Sequence, residues 1–311
     1  MAVEFPLRVR SISCERLTKS GKGHLMKIIK ADVLGMCFGV RDALAVIEEV
    51  KRPEAVTIHG ELVHNEKVLD ALHERGFRMI GEKQRRALPV TETVLITAHG
   101  VSDKERARLT QAGKQLIDTT CPLVTRAHQA AQKLQAEGRH VVVIGKRGHV
   151  EVQGIVEDLR GFDVIGTPDE VRTYPYAKIG VICQTTTPAC HAEDICAALN
   201  AKNPHADIRF IDTICHPTKD HQRALERLMD EVEAMVVVGG ANSNNTRQLV
   251  LRCRVRGLPA YHVQGPEDLR PEWFGGLETV GLTAGTSTLD ETVYAVEDAL
   301  QQISQPIPLA L

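Results

Sequence analysis

The chain has 311 residues, of which 43% are hydrophobic, and a formal net charge of −2. The balanced charge, the lack of a long basic run and the content of one Trp and four Tyr argue against a nucleic-acid partner. No apolar stretch approaches the roughly 20 residues of a membrane-spanning helix, and residues 1–25 lack the apolar core of a secretory signal, so we expect a cytoplasmic protein with no membrane partner.

Residues 1–26 are predicted to be an N-terminal extension, because Met26 stands directly before the first strand-like run, KIIKADVLG. The remainder divides into three units that repeat one order of elements. We predict lobe 1 at residues 27–120, lobe 2 at residues 121–214 and lobe 3 at residues 215–311, with the first strand joining lobe 3.

Each unit begins with a cysteine: Cys37, Cys121 or Cys215. A stretch with apolar residues three to four positions apart follows and predicts a helix. A short apolar run then ends in glycine 23 or 24 residues after the cysteine, as VTIHG, VVVIG and VVVGG. A second apolar run precedes polar residues, as VLITAHGVS, IGVICQTTTP and VGLTAGTSTLD. We therefore predict an α/β fold of three lobes around a pseudo-threefold axis, with the cysteines and polar loops at its centre.

The three cysteines are candidate metal ligands, because helix N-termini stabilise thiolates. Three thiolates can hold zinc with a water molecule, or an iron–sulfur cluster in which one iron lacks a protein ligand. Burial as a small hydrophobe accounts for the other cysteines, which are Cys14, Cys183, Cys190, Cys196 and Cys253.

Imidazole, hydroxyl and amide side chains follow the predicted strands. His64, His149 and Ser243 recur 27 or 28 residues after their cysteines. Donors of this kind suit a diphosphate in a dry pocket, although a helix cap or a turn explains any single one equally well. The candidate substrate-binding residues are His64, His99, His149, Thr185, Thr218, Ser243, Asn244, Asn245 and Ser287.

Glu151 is a candidate proton donor, with His149 and Thr185 as the other candidate catalytic residues. It follows His149 by two residues in RGHVEVQG, which predicts that both side chains point to one side of an extended loop. A carboxyl group beside a metal pocket can donate protons once burial raises its pKa. A solvated loop carboxylate is the alternative interpretation.

These motifs resemble those of the 4-hydroxy-3-methylbut-2-enyl diphosphate reductase family of the methylerythritol phosphate route to isoprenoids. The resemblance spans nearly all of the chain after Met26. It rests, in order, on GMCFGV, ELVHN, TAHGVS, DTTCPLVTRAH, GHVEVQG, QTT, Cys215, NSNNTRQL and TAGTS.

The resemblance implies reductive dehydroxylation of (E)-4-hydroxy-3-methylbut-2-enyl diphosphate to isopentenyl diphosphate and dimethylallyl diphosphate, at an open iron of a central 4Fe-4S cluster. Ferredoxin or flavodoxin is the implied electron donor. The implied cluster ligands are Cys37, Cys121 and Cys215. The implied diphosphate ligands are His64, His99, His149, Ser243, Asn245 and Ser287. Glu151 is the implied proton relay, with Thr185 ordering the hydrogen bonds near it.

The sequence departs from the family pattern near these residues. Val150 replaces a usual proline, Asn244 replaces the second serine of Ser-Ser-Asn, and Pro217 and His221 replace the usual Ala and Arg after Cys215. The predicted ligands stay in place, but a divergent paralogue remains open. The alternatives are a non-catalytic cluster-bearing redox sensor and a three-cysteine zinc hydrolase.

Overall fold

The structure, a computed structural model, describes residues 25–304. All but the last two residues of the predicted extension, including Cys14, therefore lie outside the described residues. None of the helices within residues 25–304 combines the length and the apolar character that a membrane span requires.

The first part of the chain supplies one strand of the third sheet and the complete first sheet. Its elements are β1 (Lys27–Lys30), α1 (Phe38–Glu48), β2 (Val56–His59), α2 (Glu66–Glu74), β3 (Arg78–Ile80), β4 (Thr93–Ile96), α3 (Asp103–Gln111) and β5 (Gln115–Asp118). Strands β2 to β5 form a parallel sheet in the order β3-β2-β4-β5.

The second sheet repeats this arrangement. Its elements are α4 (Pro122–Ala136), β6 (His140–Ile144), α5 (Val150–Glu157), β7 (Phe162–Ile165), β8 (Lys178–Cys183), α6 (Ala189–Lys202) and β9 (Asp207–Phe210). The strands are parallel in the order β7-β6-β8-β9.

The third sheet takes its last strand from the start of the chain. Its elements are α7 (His216–Met229), β10 (Ala234–Val238), α8 (Asn244–Val255), β11 (Ala260–Val263), β12 (Thr279–Ala284) and α9 (Asp290–Ser304). The parallel order is β1-β12-β10-β11, with Lys27 opposite Thr279. All three sheets therefore share one strand order, in which β1 takes the place held by β5 and β9. The prediction of three α/β lobes is confirmed.

The central strands are continuous apolar runs because helices cover both faces of each sheet. Every residue of β10 is buried, as is nearly every residue of β6. Helix α4 lies close against β8, where a Cβ atom added to Gly180 would come within 2.8 Å of the Leu134 Cβ. The absent side chain at Gly180 therefore gives Leu134 its place in the core.

Helix starts occupy matching positions in the three lobes. Asn65, His149 and Ser243 each lie 28 residues after their cysteine and cap a helix by accepting a hydrogen bond from a backbone amide. Asn65, rather than the neighbouring His64, is thus the equivalent of His149 and Ser243. The predicted extended loop at His149 and Glu151 is also wrong, because the His149 cap starts α5 and places Glu151 in its first turn.

The remaining cysteines divide by position. Cys183 and Cys253 are buried, Cys196 is half-buried and Cys190 is exposed. The prediction of burial is wrong for Cys190 because α6 buries Ile195 and Leu199, and Cys190 lies on a different face of that helix.

Replacing Leu134 by Ala is expected to lower the free energy of unfolding by about 2 to 5 kcal/mol, since Leu134 is fully buried and its loss leaves a cavity. Leu251→Ala is the matched control, because Leu251 is 53% exposed on α8 and its truncation should cost less than about 0.5 kcal/mol. Equal losses in urea unfolding of the two variants would contradict this packing.

Candidate active site

One backbone hydrogen bond is repeated at each of the three cysteines. Each cysteine follows the fourth strand of a sheet and stands directly before the first residue of the next helix, and its amide donates to a carbonyl in the loop after the third strand. The bonds are Cys37 N to Thr286 O (2.9 Å), Cys121 N to Ala98 O (3.1 Å) and Cys215 N to Thr185 O (3.0 Å). Each cysteine is thereby fixed beside a polar loop.

A single cavity brings these cysteines and loops together. Besides the three cysteines, the polar residues on its wall are His64, His99, His149, Glu151, Thr185, Thr186, Ser243, Asn244, Asn245, Thr286 and Ser287. Of the residues predicted from the sequence, only Thr218 is not on this wall. The Thr218 side chain is fully buried and its Oγ1 lies 3.1 Å from the Cys215 Sγ, so Thr218 contacts a predicted ligand.

The surroundings of the thiols only partly match the predicted stabilisation of thiolates. Backbone amides at the helix starts lower the thiol pKa values, but burial is the larger effect and raises all three, that of Cys215 to about 11. Protonated thiols therefore require the positive charge of a metal to ionise.

Two observations bear on which metal group fits. A Cβ atom at Gly39 would lie 2.6 Å from the Cys121 Sγ, so the glycine lets the Cys37 loop approach Cys121. Across residues 25–304, no three His, Cys, Asp or Glu side chains are arranged to hold one metal ion. Three thiols on one cavity wall are the donor set of an iron–sulfur cluster in which one iron lacks a protein ligand, and equally of a zinc ion with a water molecule.

Glu151 is a buried carboxyl group held by Thr185. Its Oε1 accepts from the Thr185 amide at 2.7 Å, and its Oε2 accepts from the Thr185 hydroxyl at 2.9 Å. Burial raises the Glu151 pKa to about 7, although both contacts with Thr185 oppose that shift. The group can therefore carry a proton near neutral pH.

The three histidines form one cluster. The ring centroids of His64 and His99 are 4.5 Å apart, and that of His149 is 5.2 Å from His64 and 5.7 Å from His99. Burial lowers the His149 pKa to about 3. Burial, followed by the neighbouring His64 and His149, holds the His99 pKa well below its usual value. His99 and His149 are therefore neutral rings at physiological pH.

Some buried polar atoms of the cavity wall are unpaired. Within the described residues, both amide atoms of Asn245 and the Ser287 hydroxyl have no hydrogen-bond partner. An unsatisfied buried group costs about 1 to 3 kcal/mol, so these atoms are suited to a polar ligand.

Thr186 lies on the cavity wall but is not among the residues predicted from the sequence. The loops after β4, β8 and β12 each contain a turn, closed by Gly100 N to Thr97 O, Thr187 N to Gln184 O and Thr288 N to Gly285 O. Within these turns, Thr186 is the equivalent of His99 and Ser287. The number of residues between cysteine and turn differs among the lobes, so counting from the cysteines could not align it.

The Thr186 hydroxyl accepts hydrogen bonds from Asn244 Nδ2 at 3.0 Å and Gln184 Nε2 at 3.1 Å. Its own proton stays free for a ligand. Asn244, which departs from the family pattern, therefore connects lobe 3 to lobe 2 at the cavity wall.

Two of the other departures, Val150 and His221, are accommodated structurally. Val150 is the first residue of α5, where a proline would also fit, so the direction of Glu151 is set by the helix. His221 is buried, with Nδ1 2.8 Å from Pro217 O and Nε2 3.0 Å from Gly35 O. His221 thus connects the segments that carry Cys215 and Cys37.

Fold and site define a class: a three-lobed parallel α/β protein whose central cavity combines three cysteines, three histidines and a buried carboxyl group. The chain belongs to the LytB protein family, whose sequence model matches residues 28–301. The family resemblance predicted from the sequence motifs is confirmed.

Curated relatives and solved structures agree. The 4-hydroxy-3-methylbut-2-enyl diphosphate reductase of Anaeromyxobacter sp. (strain Fw109-5) is 34% identical over 284 residues, covering 90% of this chain and 99% of the relative. That of Aquifex aeolicus (strain VF5) is 32% identical, covering 90% and 98%. The Plasmodium falciparum E-1-hydroxy-2-methyl-but-2-enyl-4-diphosphate reductase structure has a TM-score of 0.80 and 26% identity, covering 87% of this chain and 86% of that one.

Glu151→Gln is expected to change how stability depends on pH. The folded-state pKa of Glu151 is raised from 4.5 to about 7. The contribution of this group to wild-type stability is therefore fully present below pH 4.5 and is lost as pH rises from there to about 7. Glutamine can keep both contacts, because its oxygen accepts from the Thr185 amide and its nitrogen donates to the Thr185 hydroxyl, and it does not ionise. Relative to that of Glu151→Gln, the free energy of unfolding of the wild type should therefore fall by roughly 2 to 3 kcal/mol between about pH 5 and about pH 8.

Denaturant unfolding of both proteins in the same cofactor state measures this difference. A difference that does not change with pH would contradict the assignment of Glu151 as a buried ionisable group.

Proposed function

We propose that this chain reduces (E)-4-hydroxy-3-methylbut-2-enyl diphosphate to isopentenyl diphosphate and dimethylallyl diphosphate. Two electrons and two protons replace the C–O bond of the terminal alcohol by a C–H bond, and the oxygen leaves as water. The supporting observation is that one cavity combines three cysteine thiols, a carboxyl group that is protonated near neutral pH and unpaired hydrogen-bond donors.

Cys37, Cys121 and Cys215 would hold a 4Fe-4S cluster. Such a cluster, when bound, supplies electrons one at a time and an iron site that polarises the alcohol. Thr218 supports this ligand set through its contact with Cys215. A ferredoxin or a flavodoxin would deliver the electrons.

Three side chains from lobes 2 and 3 would bind the diphosphate through unpaired or neutral donors: His149, Asn245 and Ser287. His64, His99, Ser243 and Thr186 complete the set. Thr186 can donate its hydroxyl proton because Asn244 and Gln184 occupy its acceptor sites. Preorganised donors in a site that excludes water bind an anion strongly without reorganisation.

Glu151 would give a proton to the leaving hydroxyl group. A pKa of about 7 keeps the carboxyl group substantially protonated at neutral pH and still allows it to release that proton. Thr185 would hold the carboxyl group in position through its amide and its hydroxyl.

The direct test is an anaerobic assay of the cluster-loaded protein with reduced viologen as the electron source. Addition of the hydroxymethylbutenyl diphosphate should cause viologen oxidation above the no-substrate control, with both products present. Glu151→Gln should keep the cluster and lower the rate by roughly 100-fold or more. A loaded cluster with no substrate-dependent oxidation would reject the reductase and favour a redox sensor.

The ligand assignment has its own test in two cysteine variants. Cys121→Ser should lose most iron and sulfide per chain after anaerobic reconstitution, because a cavity-wall ligand is removed. Cys190→Ser is the control and should reconstitute like the wild type, since Cys190 is exposed on α6 and is not on the cavity wall. A full cluster in Cys121→Ser would refute the assignment.

A further inference from the structure

A charged pair lies behind the two histidines that lobe 1 supplies to the cavity. Glu82 and Arg85 follow β3, and Arg85 Nε lies 2.9 Å from Glu82 Oε2. Both side chains are mostly buried, with 24% of Glu82 and 16% of Arg85 exposed. Neither residue is on the cavity wall. A largely buried ion pair is weak evidence for a role in stability, so its contacts decide what it does.

Glu82 holds the segment that carries His64. Its Oε1 accepts a hydrogen bond from the Glu61 amide at 2.8 Å. The Glu61 side chain in turn lies against the imidazole ring, with Oε2 2.9 Å from His64 Nδ1. Glu82 therefore fixes the backbone from which the His64 ring is held.

Arg85 connects that segment to the loop that carries His99. Its Nη2 donates to the His59 carbonyl at 2.8 Å and contacts the Thr97 hydroxyl at 3.5 Å. Thr97 is fully buried, and its carbonyl closes the turn that contains His99 by accepting from the Gly100 amide. One guanidinium group thus spans the loops after β2 and β4, whose two histidine rings are stacked with centroids 4.5 Å apart.

The end of β2 leaves room for this pair. A Cβ atom at Gly60 would lie 2.5 Å from Arg85 Nη2 and 2.6 Å from Glu82 Oε1. The φ of Gly60 is +107°, which residues other than glycine rarely adopt. The strand therefore ends in glycine at the point where the two charged side chains approach the backbone.

His64 needs such support more than the proposed ligands of the other lobes do. His149 and Ser243 cap helices, so an amide of its own helix fixes each of these side chains. In lobe 1 the cap is Asn65, and His64 stands one residue before it. The position of His64 therefore depends on the segment around Glu61.

We propose that Arg85, paired with Glu82, is a positioning residue for the diphosphate pocket. It holds the loops of His64 and His99 at the separation that the phosphate oxygens require, because donors bind an anion well only when their geometry is fixed in advance. This inference rests on the proposed function and adds to it a residue that acts on the ligand only through the two histidines.

Binding of inorganic pyrophosphate to the anaerobic, cluster-loaded protein tests this role without turnover. Arg85→Met keeps an unbranched apolar side chain but removes the guanidinium group, so calorimetry should show binding weaker by roughly 10-fold or more. Arg86→Met is the matched control, because Arg86 is the next residue and is exposed. The control should bind pyrophosphate like the wild type.

Kinetics separate a positioning role from a structural one. In the viologen assay, Arg85→Met should raise KM by a similar factor and lower kcat by less than about 3-fold, because the pair lies outside the wall that carries the cysteines and Glu151. A purely structural defect would lower the fraction of folded, cluster-loaded protein and leave KM and pyrophosphate affinity unchanged.

Glu82→Gln is the milder variant, and it carries the same test should Arg85→Met not fold. The glutamine oxygen can still accept from the Glu61 amide, but it offers no charge to Arg85. Pyrophosphate binding should weaken in the same direction. The double variant should lose less affinity than the product of the two single losses, because both changes break one connection.

The outcomes distinguish this inference from the proposed function. Wild-type pyrophosphate affinity in both Arg85→Met and Glu82→Gln, or an equal loss in Arg86→Met, would overturn the role of Arg85 and leave the reductase intact. Independent losses in the double variant would overturn the pairing. No pyrophosphate binding by the wild type would overturn this inference together with the diphosphate pocket.

Discussion

The amide hydrogen bond from each cysteine to the neighbouring strand-end loop is the constraint on which the site depends. It ties a position at the start of a helix to a carbonyl beside His99, Thr186 or Ser287. Because all three lobes use the same strand order and the same bond, three thiols and three polar turns are brought to one cavity. Displacing one loop would therefore displace a thiol and a donor together.

Burial then decides the chemical state of nearly every group in the cavity. It raises the pKa of Glu151 and of the thiols, and it lowers the pKa of His99 and His149. All these shifts favour neutral forms, because a low dielectric disfavours charge. Neutral side chains of this kind would suit the proposed cluster and diphosphate, which bring their own charges. Glu61, whose Oε2 lies 2.9 Å from His64 Nδ1, is an exception beside the cavity, because this hydrogen bond lowers the pKa of its carboxyl group.

Contacts between lobes hold this arrangement. Asn65 Nδ2 donates to the Ser287 carbonyl, Asn244 donates to Thr186, and His221 reaches the Gly35 carbonyl. Two of these residues, Asn244 and His221, are departures from the usual family pattern. These two departures therefore fall at contacts between segments of the cavity, where a new side chain can be accepted if its hydrogen bonds are satisfied.

The sequence by itself determined the three repeated units, their parallel α/β character and the three cysteines, because strand and helix periodicity and the spacing from each cysteine are local properties. The spacing of 28 residues from each cysteine already aligns Asn65, rather than His64, with His149. The sequence could not determine that Thr186 matches His99 or that Glu151 lies in the first turn of a helix. Counting from the cysteines misses Thr186 because loop lengths differ between the units. Only the hydrogen bond of the His149 cap shows that α5 starts before Glu151. The tertiary structure alone decided the exposure of Cys190, the contact of Thr218 with Cys215 and the pairing of Glu61 with His64. Burial and charge state depend on neighbours that come from other parts of the chain.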